Sequence, residues 1–191
     1  MDIAVVGAGI FGMSSAVELS LRNHRVTVFE QGQVPNELAS STDVGKIIRR
    51  THYLPTEPYI EMVEIASQQW KKWDELSAKH FYYQIGGLTG YKSSELVPGS
   101  IGYESIPYLK DNNTEIELLS IKDVEEKFPQ FVFSEQADQQ FIYDPWAGYL
   151  DSGQVLTFLA QLAVENGVEI KKHCRVLDVQ DLPTKVSIGI D

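Results

Sequence analysis

Two hydrophobic periods run along this chain. Ile3 to Val6 form a short apolar run that leads into Gly7-Ala8-Gly9-Ile10-Phe11-Gly12 and then a helical pattern from Met13 to Leu21. Arg25 to Phe29 read as a second strand ending in Glu30. The opening is therefore strand, tight turn, helix, strand. Pro58 to His80 place Ile60, Val63, Ala66, Trp70, Trp73 and Leu76 at helical spacing, with Thr56, Glu57 and Pro58 as the start. Tryptophans at that spacing read as core rather than as an aromatic substrate cage. Phe81 to Tyr91 read as two short strands or one bent one, with Gly86, Gly87 and Gly90 permitting the bend. Lys92 to Gly102 is polar and turn-rich. Glu115 to Leu119 suggests a strand, and Ser120 to Phe128 a short helix opened by a Ser cap and closed by Pro129. Phe141 to Leu150 read as strand and turn, and Asp151-Ser152 cap an amphipathic helix, Gln154 to Glu165, ended by Gly167. Val168 to Val179 read as one strand returning to the first sheet.

Composition narrows the classes. A chain of 191 residues with 43% hydrophobic content can bury a core of one domain or a small pair. The net charge of −11 argues against nucleic acid or an anionic membrane as partner, since both reward basic surfaces. No apolar run approaches the roughly 18 residues of a spanning helix, and the start lacks the basic flank and cleavage site of a signal peptide. A cytoplasmic protein is expected. Cys174 is the single cysteine, and His24, His52, His80 and His173 show no metal-ligand spacing, so neither a disulfide framework nor a metal is expected. No G-x-S-x-G elbow is present, and hydrolase readings lack a nucleophile.

The glycine turn carries the first chemistry. Gly7 permits the sharp turn, Gly9 removes a side chain where a diphosphate approaches the backbone, and Gly12 lets helix and strand pack closely. The helix N-terminus then faces the anion. Glu30 is placed to accept from both hydroxyls of an adenosine ribose, which disfavours a 2′-phosphate. A dinucleotide site is expected, with NAD and FAD both open at this point.

The next segment, Ala39-Ser40-Ser41-Thr42-Asp43-Val44-Gly45-Lys46-Ile47-Ile48-Arg49, follows that motif with a Ser-rich turn and a cationic run in an acidic chain. The bland reading of Lys46, Arg49 and Arg50 is solvated surface charge. Together with the glycine turn and Glu30, however, the segment resembles the flavin-dependent amine oxidases of the D-amino-acid-oxidase superfamily, which include sarcosine, pipecolate, fructosyl amino acid and saccharopine oxidases. The resemblance extends over the whole chain. It implies an α/β fold: a Rossmann-like FAD-binding domain of the glutathione-reductase type with an inserted, incomplete α+β substrate-binding domain. Residues 1–80 and 146–191 would form the FAD-binding domain, and residues 81–145 the substrate-domain segment.

The resemblance also implies roles. Gly7, Ala8, Gly9, Ile10, Phe11, Gly12, Glu30, Gln31, Ser40, Ser41, Lys46, Ile47 and Val176 would contact FAD, non-covalently as far as this chain shows. Lys46 would lie against the isoalloxazine as the catalytic cation, and Arg49 would bind the substrate carboxylate with its guanidinium fork, Arg50 facing elsewhere. Hydride would pass from the carbon beside nitrogen to flavin N5, water would hydrolyse the imine, and oxygen would reoxidise the flavin to give hydrogen peroxide. The partners implied are a small amine or amino-acid substrate and oxygen. Gly45-Lys46 stands where sarcosine oxidases carry Thr-Arg, which points to a bulkier N-substituted amino acid.

Family members continue for about as long again, so an uncovered apolar face, an open sheet edge and a second chain completing the fold are expected. The absent half normally supplies an oxygen-activating lysine and, in sarcosine oxidases, the cysteine that bonds flavin; Cys174 is not that cysteine. No peroxisomal signal ends the chain, though a longer form could carry one. Two rival readings stay open: a catalytically silent flavin-binding remnant or split-enzyme subunit, and, ranked last, an NAD-dependent dehydrogenase.

Overall fold

Two short apolar runs separated by one helical stretch give parallel strands, because a helix must carry the chain back before the second strand can pair with the first. The computed structural model describes residues 1–51, 58–111, 115–134 and 137–191; His52, Thr56 and Glu57, named above, lie outside the described residues. In chain order the elements are β1 (Asp2–Val6), α1 (Ile10–Leu21), β2 (Arg25–Phe29), β3 (Lys46–Ile48), α2 (Tyr59–Leu76), β4 (Tyr82–Tyr83), β5 (Gly87–Lys92), α3 (Ile101–Asp111), β6 (Glu117–Ser120), α4 (Ile121–Lys127), β7 (Gln139–Asp144), β8 (Gly148–Leu150), α5 (Ser152–Glu165), β9 (Glu169–Lys171), β10 (Val176–Leu182) and β11 (Lys185–Ile190). They form two compact units, Met1–Lys46 with Asp151–Asp191, and Ile47–Leu150.

In the first unit β1 and β2 pair in parallel with Ile3 opposite Val26, and β9 adds to the far side of β2 with Thr27 opposite Glu169. The order is β1-β2-β9, so β1 is an edge strand. Val26 and Val28 of β2, Met13, Ala16 and Val17 of α1, and Val155, Leu156, Leu159 and Ala163 of α5 are buried. Each large one stabilises the unit by roughly 1.5–3 kcal/mol. This is a Rossmann-like arrangement. The single strand expected over Val168–Val179 is instead two, because the backbone N–H groups of His173 and Cys174 donate to the carbonyls of Gly32 and Glu30 (3.2 and 2.8 Å) and turn the chain. His173 takes a φ of 52° there. β10 then leaves the sheet and pairs antiparallel with β11. Ile3, Val26, Phe29, Val179, Val186 and Ile188 border an open cleft of about 990 Å³ in this unit.

In the second unit β5, β7 and β6 form an antiparallel sheet, with Gly87 opposite Asp144 and Glu117 opposite Tyr143. Ile60, Leu96, Ile106, Leu109, Ile116 and Ile142 make its core. A second sheet has the order β3-β8-β4. Gly148 of β8 approaches β4 so closely that a Cβ there would lie 2.0 Å from the Tyr83 carbonyl oxygen. α2 is shorter than the expected Pro58–His80 helix and buries Ile60, Ser67 and Trp73, while Leu76 is exposed. Its end is set by Asp74, whose Oδ1 accepts the N–H groups of Phe81 and Tyr82 (2.7 and 3.0 Å). Trp73 is core, with Trp70 edge-on to it at 5.2 Å. α4 has the expected Ser120 cap as a full capping box with Asp123. α3 has no counterpart in the sequence reading, because Pro107 lies inside it.

Candidate functional site

The glycine turn after β1 is built by close backbone approach. Gly7 donates its N–H to the Phe29 carbonyl at 2.8 Å and takes a φ of +92°, a conformation side chains other than glycine's rarely adopt. A Cβ on Gly12 would lie 1.9 Å from the Gly7 carbonyl oxygen, so α1 can seat on the turn only with glycine there. Gly9 is the N-cap of α1, and its side of the turn is open: an added Cβ would meet only the Ser41 hydroxyl, at 3.5 Å. That hydroxyl accepts the Ile10 N–H at 3.1 Å, which brings the Ser-rich turn to the positive end of α1. Ala8 is buried beneath the turn, and Phe11 projects from it, 88% exposed.

Glu30, 6% exposed, stands beside this turn. Its Oε2 accepts the Ala8 N–H at 2.8 Å, and its Oε1 accepts the Gly32 N–H at 2.9 Å and the Asn36 amide at 2.8 Å. Burial pushes its carboxyl up, but these hydrogen bonds and one from the Gln31 backbone outweigh it and hold the group below its ordinary range. Glu30 is therefore an ionised acceptor. Asn36 was not singled out from the sequence; its place after the turn residues Val34-Pro35 is the only signal it leaves. Gln31 and Ser40 are exposed, and Val176, half-buried, opens β10. Lys46 opens β3, exposed, with its Nζ 2.9 Å from Asp43 Oδ2. That hydrogen bond foremost, and one from the Val44 N–H, hold the Asp43 carboxyl below its usual range.

In the second unit Ile47, Arg49 and Thr51 border a cleft of about 400 Å³ together with Ile85, Gly86 and Asp144. Ile47 is 79% exposed and Arg49 half-buried, whereas Ile48 and Arg50 alternate with them into the interior. The charge of Arg49 reaches Tyr91: burial pushes that phenol up, and Arg49 draws it back. Arg50, 6% exposed, donates from Nη2 to Asp144 Oδ1 at 2.8 Å and lies 4.4 Å over the Trp146 ring. Asp144 and Trp146 are the residues here that the sequence reading missed.

The first unit fits an adenine dinucleotide on its own geometry. Backbone N–H groups at the start of α1 meet a face cleared by Gly9, and an ionised, buried carboxylate stands at the end of the neighbouring strand. Such a set binds a diphosphate and a ribose diol. The candidate residues Gly7 to Gly12, Glu30 and Ser41 are brought together there. Among the described residues no group of three His, Cys, Asp or Glu side chains could hold a metal ion, and no helix is long and apolar enough to cross a membrane.

Comparison with known proteins agrees with this geometry. A model of the FAD dependent oxidoreductase family matches residues 2–189. L-saccharopine oxidase of Schizosaccharomyces pombe is 28% identical, the match covering 87% of this chain and 39% of that protein. Monomeric sarcosine oxidase of a Bacillus species is 26% identical, covering 98% of this chain and 46% of that protein. The chain thus spans less than half the length of either relative. Among solved structures, L-proline dehydrogenase from P. horikoshii superposes with a TM-score of 0.84 over 100% of this chain and 49% of that one, at 23% identity, a likeness of fold.

Proposed function

From the premise that the chain belongs to the FAD dependent oxidoreductase family, we propose that it holds FAD non-covalently and serves the oxidation of the C–N bond of a secondary or N-substituted amino acid, with oxygen as acceptor. Bound flavin would supply the hydride acceptor and pass the electrons to oxygen, giving imine and hydrogen peroxide. The observation that carries the reading is the glycine turn with its ionised partner Glu30, held 2.8 Å from the Ala8 N–H.

The chain's own residues have separable tasks. Ser41 and the N–H groups at the head of α1 would hold the diphosphate, and Glu30 the ribose of the adenosine. Lys46 would favour negative charge on the isoalloxazine. Arg49, facing its cleft, would orient the substrate by its carboxylate, a charged hydrogen bond of roughly 1.5–3 kcal/mol. The likeness to L-saccharopine oxidase favours a substrate bulkier than N-methylglycine.

The test is an absorption spectrum from about 300 to 550 nm before and after incubation with FAD and desalting, because retained flavin is coloured in that window. Retained bands support the reading, and a colourless protein overturns FAD binding by this chain. Arg49→Ala should leave the flavin bands intact and weaken carboxylate substrates. Loss of the bands in that variant would move Arg49 out of the substrate role.

A further inference from the structure

The run Ile47-Ile48-Arg49-Arg50 is nearly unchanged by a slip of one residue, since isoleucine replaces isoleucine and arginine replaces arginine on each side. A one-residue slip in an extended strand exchanges its two faces, so hydrophobic pattern alone does not decide which arginine faces the cleft. Something outside the run must decide. Asp144 is 1% exposed and takes two hydrogen bonds from Arg50, one from the backbone N–H to Oδ2 at 3.3 Å and one from Nη2 to Oδ1 at 2.8 Å. The same Oδ1 accepts the Trp146 N–H at 3.0 Å, and the Trp146 ring covers the guanidinium. Glu64 Oε1 lies 3.8 Å from Nη1. A buried carboxylate of this kind must hold a cation, because leaving it unpaired is costly.

We propose that Asp144 and Arg50 are positioning residues: by capturing one of two adjacent arginines, Asp144 sets the facing of the run and directs Arg49 into the cleft. The inference rests on the reading of Arg49 as the substrate's carboxylate anchor, and deepens it. Asp144 already accepts two hydrogen bonds from Arg50 and one from the Trp146 N–H. Alternation then turns the neighbour of Arg50 outward, and Arg49 needs no contact of its own with Asp144 to be placed.

The consequence is a reversal that simple loss of packing does not produce. In Arg50→Met the vacated Asp144 should recruit Arg49 and withdraw it from the cleft. Replacing both members, Arg50→Met with Asp144→Leu, removes the recruiting charge and should return Arg49 to the cleft; such apolar replacement of a buried ion pair is often tolerated by the fold.

The experiment is phenylglyoxal labelling of the whole 191-residue chain, read by peptide fragmentation at Arg49 and Arg50 separately, with and without N-methylalanine. In the unaltered protein Arg49 should label and Arg50 stay protected. Arg49 labelling should fall about tenfold or more in Arg50→Met and recover in the double variant. In Asp144→Asn the two arginines should approach equal labelling. Unchanged labelling of Arg49 in both Arg50→Met and Asp144→Asn, with melting curves showing a folded protein, overturns the inference. Should Arg50→Met not fold, Asp144→Asn decides: protection of Arg50 persisting without the Asp144 carboxylate is then the overturning result. Protection of Arg49 by N-methylalanine judges the carboxylate reading separately, since its failure leaves the labelling pattern of the variants intact.

Discussion

The Ala8 backbone N–H and Glu30 Oε2 meet at 2.8 Å, tying the turn after β1 to the end of β2. One carboxylate therefore shapes the glycine turn, and in the proposed reading the same charge would also hold the ribose of the adenosine.

Stability should depend on that charge in a defined direction. The Glu30 carboxyl is held below its ordinary value of 4.5, so its contribution is complete above that value and is lost as pH falls through the lower, folded one. Glu30→Gln should cost about 1.5–3 kcal/mol at pH 7, the worth of hydrogen bonds to a charged group. The gap between the melting curves of the two proteins should close as the pH is lowered below 4.5, and a gap constant with pH would refute the assignment.

Gly12 and Gly9 should separate folding from cofactor binding. Gly12→Ala drives a Cβ to 1.9 Å from the Gly7 carbonyl oxygen, and backbone cannot yield as a side chain does; a loss on the order of 3 kcal/mol or an insoluble protein is expected. Gly9→Ala meets only Ser41 Oγ at 3.5 Å and should change the melting temperature little. The same substitution should reduce flavin retention, measured by absorbance after desalting.

Asp74 ends α2 and orders the chain into β4. Asp74→Ala leaves the Phe81 and Tyr82 N–H groups without their acceptor and should cost about 1–3 kcal/mol in urea unfolding. Asp74→Asn keeps an Oδ1 and should cost less than half as much. Equal losses would show that charge, rather than the acceptor, matters there.

The N-cap of α5 is a local contribution. Asp151 Oδ1 accepts the Gln154 N–H at 3.1 Å, and its Oδ2 accepts from the Gln154 side chain at 2.6 Å. Asp151→Ala should lower stability by about 1 kcal/mol without altering the spectrum of bound flavin.

Where one element's signals lie next to each other in the chain, they were legible. β2 spans the expected Arg25–Phe29, and α4 and α5 begin after the expected caps, Ser120 and Asp151. The glycine turn was legible for the same reason, since its atoms meet within six residues of sequence. Legibility failed where partners are distant. Arg50 and Asp144 are 94 residues apart, and nothing near Arg50 shows that a carboxylate awaits it. The one available hint was the doubled arginine, since alternation must turn one of the two inward. α3 was lost to Pro107, a breaker that tertiary packing of Ile106 and Leu109 overrides. Contacts group Ile47–Leu150 as one compact unit, in whose core Ile60 packs with Leu96 and Ile142.

The turn that carries the chain from β9 to β10 is held to the end of β2 mainly by main-chain atoms: Glu30 N–H to the Lys171 carbonyl at 2.9 Å, with His173 and Cys174 donating to Gly32 and Glu30, while the Gln33 and His173 side chains meet at 2.7 Å. The main-chain bonds read no side chain. Exposed Lys172 is therefore freer to drift than His173, held by its φ of 52° and its bond to Gln33, or than buried Cys174, while the main-chain bonds keep the shape beside Glu30. A neutral drift under a fixed backbone is one way two chains come to share a fold, at a TM-score of 0.84, with 23% sequence identity over the matched region.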